Sequence, residues 1–189
     1  LFHADPAETE NAFTFHEDGA IITRDGLIEA VGDYAALRDP DLTEINHRPH
    51  LILPGFIDTH IHFPQVQVIA SWGAQLLDWL NTYTFPEESR FGQQGHAPAM
   101  AEHFLDLLLA HGTTTAAAFC SVHPQSAEAL FAAAESRNMA MVAGKVMMDR
   151  NAPPAVLDTP QQGYDDSKAL IEKWHRHGRQ RYAITPRFA

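Results

Sequence analysis

Cysteine is nearly absent from this chain. Its 189 residues include one, Cys120, which excludes an internal disulfide and any Cys-rich zinc cluster and fits a reducing cytoplasm as the expected compartment. Cations are scarce too: 13 Lys and Arg stand against 24 Asp and Glu, a formal charge of −11. That balance argues against a nucleic-acid partner, because neutralising phosphates takes clustered Lys and Arg. No run approaches the roughly 20 apolar residues of a membrane span, so no membrane partner is expected. The opening Leu1-Phe2-His3-Ala4-Asp5 lacks the basic flank and apolar stretch of a signal peptide. What is plentiful is histidine, at 12 residues. Hydrophobic residues at 45% and charged residues at 20% are ordinary for a folded globular protein. The length suits one domain, or a small domain beside a larger one.

The first fifty residues read as short strands. Ala20–Thr23 and Leu27–Val31 flank Asp25-Gly26, a hairpin turn signal. From residue 51 strands and helices alternate. Strands are predicted over Leu51–Asp58, Thr113–Phe119, Met139–Met147 and from Tyr182 to Thr185, and helices over Gln75–Tyr83, Ala97–His111, Gln125–Arg137 and Tyr164–His177. Gly112 and Gly178 stand where C′ glycines end helices. Such alternation means parallel βα units and an α/β fold. Four units make half of a (β/α)₈ barrel, which takes about 250 residues. The expected organisation is therefore part of a small N-terminal β-sandwich domain over residues 1–50. The first four βα units of a TIM barrel follow over residues 51–189, in a chain that is an incomplete fragment of a longer polypeptide. A half barrel leaves strand edges unpaired, so association is expected, as a homodimer.

The strongest chemical signal is Pro54-Gly55-Phe56-Ile57-Asp58-Thr59-His60-Ile61-His62. Alternate strand residues share a face, so Asp58, His60 and His62 point one way. Two imidazoles at i and i+2, where a first barrel strand ends, reach one metal ion, and imidazole suits zinc or iron. Asp58 is placed to accept from a ligand histidine and set its tautomer.

Leu53 to His62 resembles the first metal motif of the amidohydrolase superfamily. Within it the chain is similar, over nearly all its length, to the guanine deaminase family. The similarity is carried by His62-Phe63-Pro64-Gln65, Leu77-Asp78-Trp79-Leu80, Tyr83-Thr84-Phe85-Pro86-Glu87 and His111-Gly112-Thr113-Thr114-Thr115. It continues in Gly144-Lys145-Val146-Met147-Met148-Asp149-Arg150-Asn151 and Ile184-Thr185-Pro186-Arg187-Phe188. The first motif marks only the superfamily; the Tyr83, Gly144 and Thr185 segments are far more specific. The resemblance implies hydrolysis of guanine to xanthine and ammonia, in purine catabolism, at one Zn²⁺ ion held by His60 and His62. It implies further ligands, and a proton-transferring Glu and Asp, beyond residue 189, so the fragment alone is expected to be inactive.

It also implies that Gln65, Arg187 and Phe188 bind the substrate, and their chemistry agrees. An amide donates and accepts at once, which suits a purine edge. Arg presents a rigid pair of donors, and guanine offers O6 and N7 as paired acceptors. Phe188 offers a face for a flat ring. Lys145 is a lysine of the kind that bridges two metals in some amidohydrolases, but it falls on the third strand, not the fourth, so a structural role is expected. Cys120 reads as a small apolar filler. His123, His175 and His177 lack a ligand pattern, and Trp72 and Trp79 read as packing. Two alternatives stay open: an amidohydrolase for another heterocycle, such as an aminohydrolase or chlorohydrolase, and a non-catalytic fragment that binds a purine or a protein. No catalytic residue is assigned within the chain.

Overall fold

The structure is a computed structural model that describes residues 2–4, 13–73 and 75–188; the outer limits of the expected domains, Leu1 and Ala189, lie outside them. The chain divides into two compact units, Leu1–Pro54 and Gly55–Ala189.

In the first unit, β1 (Phe2–Ala4) pairs antiparallel with β2 (Phe13–Phe15), and β3 (Gly19–Arg24) with β4 (Leu27–Asp33). Arg24 faces Leu27, leaving a two-residue loop. Asp25 and Gly26 take φ of 52° and 78°, the pair of positive values a type I′ hairpin turn requires. A single helical turn, α1 (Tyr34–Leu37), follows. Arg48 closes on it, pairing with Asp18 and lying 4.8 Å over the Tyr34 ring.

The second unit is an α/β fold on a parallel sheet. Its elements run β5 (Phe56–His62), α2 (Leu76–Trp79), α3 (Phe85–Ser89), α4 (His96–Ala110), β6 (Thr113–Phe119), α5 (Pro124–Ser136), β7 (Ala140–Gly144), β8 (Val146–Met148), α6 (Pro160–Trp174), β9 (Gln180–Tyr182) and β10 (Thr185–Phe188). The strands order as β5-β6-β7-β9, all parallel, and β8 pairs with β10 in a second parallel ladder. Residues alternate across β6: Ala116 and Ala118 are buried under the helices, whereas Thr115, Ala117 and Phe119 turn to the other face. Phe104, Leu105, Leu130, Phe131, Leu170 and Trp174, from α4, α5 and α6, fill the core on the covered face.

Several elements differ from the sequence expectation. The strand expected at Leu51 starts at Phe56, because Pro54 has no N–H to give a ladder; the first bond is Phe56 N–H to Gly112 O, 2.8 Å. It then runs on through His62. The helix expected over Gln75–Tyr83 continues to Ser89 through a π-helical stretch, Leu80–Thr84. The wide turn lies just ahead of Pro86, whose missing N–H breaks the α ladder. Helix α6 starts at Pro160, four residues before the expected Tyr164. The Thr159 hydroxyl caps it by accepting from Gln162 N–H, with Pro160 in the first turn.

The third strand, expected unbroken over Met139–Met147, is two strands interrupted at Lys145, and the fourth breaks likewise at Ala183-Ile184. The breaks coincide because the chains approach closely. A Cβ on Gly144 would meet Ala183 O at 1.9 Å, so only glycine fits there. At this kink Lys145 turns inward, wholly buried, and its Nζ meets Asp158 Oδ2 at 2.5 Å. The other Asp158 oxygen accepts from Met148 N–H. Removing one partner of such a buried pair strands the other without water. Lys145→Ala is expected to lower unfolding free energy by about 3–5 kcal/mol in urea titration, and Lys145→Met by clearly less if Asp158 is replaced by Leu alongside. A loss from Lys145→Ala below about 1 kcal/mol would mean the pair is solvated in solution. Cys120 is buried, and burial pushes its thiol up to about 12, so it stays protonated and inert.

Candidate active site

β5, β6 and β10 all end at one edge of the second unit, and the chemically informative residues gather there. His60 and His62 project from β5 with ring centres 5.3 Å apart at 82°. With metal–nitrogen bonds of about 2.0–2.1 Å, two imidazoles sharing a tetrahedral ion place their ring centres about 5 Å apart, so the pair fits one metal. Among the described residues no group of three or more His, Cys, Asp or Glu side chains forms a metal cage. Phe119 of β6 backs both rings, stacked on His62 at 4.8 Å and edge-on to His60 at 5.2 Å.

His62 is held neutral. Burial chiefly, then the positive charge of Arg187 and the neighbouring His60, lowers its pKa to about 4, and the neutral ring is the form that ligates. Asp58 does not set a tautomer as expected: its Oδ1 accepts from the His60 backbone N–H at 3.0 Å. The bond falls where the β5–β6 register is irregular, between Asp58 and Ile61. The partner of His62 is Gln65, on the 3₁₀ turn Phe63–Val68, with its amide nitrogen 3.2 Å from His62 Nδ1. The same amide donates to Glu88 Oε1 at 3.1 Å.

Glu88 is the residue that sequence reasoning missed. It lies on α3, fully buried, and both its oxygens accept from Arg187 Nη1, at 2.9 and 2.8 Å. Burial raises its pKa against the opposing pull of Arg187 and Gln65. The guanidinium of Arg187 sits 5.6 Å over the Phe188 ring and 5.7 Å over Phe85. The Glu88 carboxylate thereby joins Arg187 to Gln65, Gln65 in turn meets His62, and His60 and Phe188 lie against these residues through ring contacts. Glu88 follows directly on the Tyr83–Glu87 stretch, but an acid on a short helix is no signal by itself, and its partner Arg187 is 99 residues away. His123, His175 and His177 stand apart from this cluster. His177 pairs with Glu135, and His175 Nδ1 accepts from Tyr182 N–H.

Residues 51–188, a parallel α/β unit with a His-x-His pair where its first strand ends, match the amidohydrolase family. The chain belongs to that family. It is 50% identical over 187 residues to the guanine deaminase of Escherichia coli (strain K12), an alignment covering 97% of this chain and 43% of that protein. The solved structure of E. coli guanine deaminase superposes with a TM-score of 0.89 at 48% identity, covering 98% of this chain and 44% of that one. A guanine deaminase structure from C. acetobutylicum with guanine bound in its active site superposes with a TM-score of 0.77 at 28% identity, over 100% of this chain and 46% of that one. The chain spans less than half the length of each of these relatives, matching their N-terminal part.

Proposed function

We propose that this chain is the first part of a guanine deaminase, a hydrolase that converts guanine to xanthine and ammonia. The observation that carries it is the linked cluster of His60, His62, Gln65, Glu88 and Arg187, in a chain half identical to such an enzyme. Residues 1–50 belong to a small β-sandwich domain and residues 51–189 are the first four βα units of a TIM barrel. Ile57 and Ile184, 67% and 70% exposed, are then core positions of the full-length barrel, covered by its later strands. The compartment is the cytoplasm and the assembly a homodimer.

His60 and His62 would hold one zinc ion, which when bound supplies a Lewis acid that lowers the pKa of water to about 7. The remaining ligands and the proton-transferring Glu and Asp come from the rest of the full-length protein. Glu88 is no free base, because Arg187 and Gln65 occupy its oxygens. This chain's own contribution is to bind and orient. Arg187 donates to O6 and N7 of the purine, Phe188 packs against its ring, and Gln65 sits between metal ligand and substrate. The Gln65 amide nitrogen donates to Glu88 Oε1 and also faces His62 Nδ1, so one side chain orients the imidazole and is itself held by the carboxylate.

Ammonia release by the full-length protein from guanine, adenine and cytosine, measured beside chloride release from a chlorotriazine, tests this. Guanine is expected to give the highest kcat/KM by at least about 100-fold, because a site built to bond O6 rejects bases without it. Faster turnover of adenine or the chlorotriazine would reassign the enzyme within its family.

A further inference from the structure

A carboxylate without access to water persists only where it is fully paired, and Glu88 is paired in an informative way. Both its oxygens bond one nitrogen of Arg187, Nη1. Among the described residues Arg187 donates through no other atom, so Nε–H and Nη2–H remain. Those two lie parallel along one edge of the guanidinium, the edge that matches two adjacent acceptors. Phe85 and Phe188 flank the group and limit its plane. Oε1 of the same carboxylate also receives the Gln65 amide. One buried anion therefore fixes a residue from β10 and a residue from the turn after β5.

We propose that Glu88 is a positioning residue for purine recognition. It holds Arg187 by Nη1 so that the Nε–Nη2 edge stays free for O6 and N7, and it ties Gln65 to the same frame. This rests on the guanine reading above. Glu88 touches no substrate atom; it acts by removing the alternative rotamers of two long side chains before the base arrives, which lowers the ordering cost of binding.

The full-length holoenzyme tests it. Glu88→Gln retains size and one acceptor but loses the charge that anchors Nη1. It is expected to raise KM for guanine about tenfold while kcat falls less than about threefold, the pattern of lost orientation in binding. Binding of hypoxanthine, which has O6 and N7 but no amino group to hydrolyse, should weaken about tenfold by calorimetry, and binding of unsubstituted purine, which lacks O6, by less than about twofold. Glu88→Gln added to Arg187→Ala should cost no further loss beyond about twofold, because the Arg187 anchor is already gone and only the tie to Gln65 remains. If the two losses multiply instead, or if hypoxanthine and purine weaken equally, Glu88 serves the fold and not recognition. Should Glu88→Gln not fold, Glu88→Asp keeps the charge one methylene shorter. It should weaken hypoxanthine alone by about threefold, and unchanged binding would overturn the proposal. Wild-type enzyme inactive on guanine would remove the underlying reading; active wild type with an unimpaired Glu88→Gln removes this proposal only.

Discussion

Replacing His60 or His62 by alanine in the full-length protein is expected to strip its metal and abolish turnover. On the proposed reading each imidazole is one of a small ligand set, and zinc in a hydrolytic site needs three or more protein ligands with a position open for water. Loss of a supporting hydrogen bond outside the ligand shell already costs roughly 10–100-fold in affinity or activity, so loss of a ligand should cost more. Metal content after dialysis, measured beside kcat/KM and the melting temperature, checks the result. The melting curve matters because His62 packs on Phe119 at 4.8 Å, and alanine opens space there. Metal and rate both surviving either change would take the ligand role away from this pair. His62 carries the sharper test of the two. Its ring is half-buried and Gln65 holds it, whereas His60 is exposed on the strand.

Arg187→Ala is expected to lower kcat/KM for guanine about ten- to hundredfold, from the loss of charge-assisted hydrogen bonds worth roughly 1.5–3 kcal/mol. Purines without O6 should barely respond, since they offer that edge no paired acceptors. Arg187→Lys should rescue little, because an ammonium cannot bond Glu88 and still present a planar pair of donors. Phe188→Leu should cost less than either, keeping apolar contact but losing the aromatic face. The structure adds a second consequence. Glu88 is left buried without its cation, so Arg187→Ala should also lower stability by about 3–5 kcal/mol. A steady-state comparison on guanine and purine at a temperature well below the variant's melting point separates the two effects. Equal losses on both substrates would mean that Arg187 supports the barrel and does not read the base.

Local signals in this chain were legible. The Asp25-Gly26 turn, the stop at Gly112, the strand Thr113–Phe119 and the His-x-His pair each depend on residues within a few positions of one another. Their steric and hydrogen-bonding preferences act before any tertiary contact. The α/β class followed from their alternation, and the family resemblance from short segments along the chain. What failed to read correctly had local causes at Pro54, Pro86 and the Thr159 cap, and non-local ones where strands pass close to one another. Asp58 was expected on an imidazole, and its Oδ1 accepts instead from the His60 backbone N–H two residues on, a bond short polar side chains make locally. The third strand was expected to be continuous, and breaks where Gly144 passes within contact of Ala183. The helix after Gln75 was expected to stop, and runs on through a π turn into α3, which carries Glu88.

The sequence by itself determined the α/β class, the order of the βα units and the candidate residues of the proposed site. Only the tertiary structure decided how those residues are wired. A carboxylate on α3 meets a guanidinium on β10 across 99 residues because parallel strands deliver their ends to one edge of the sheet. Helix propensity and strand alternation are short-ranged and can be read along a chain. The pairing of a buried charge is a property of the space the folded elements leave between them, and no local pattern records it.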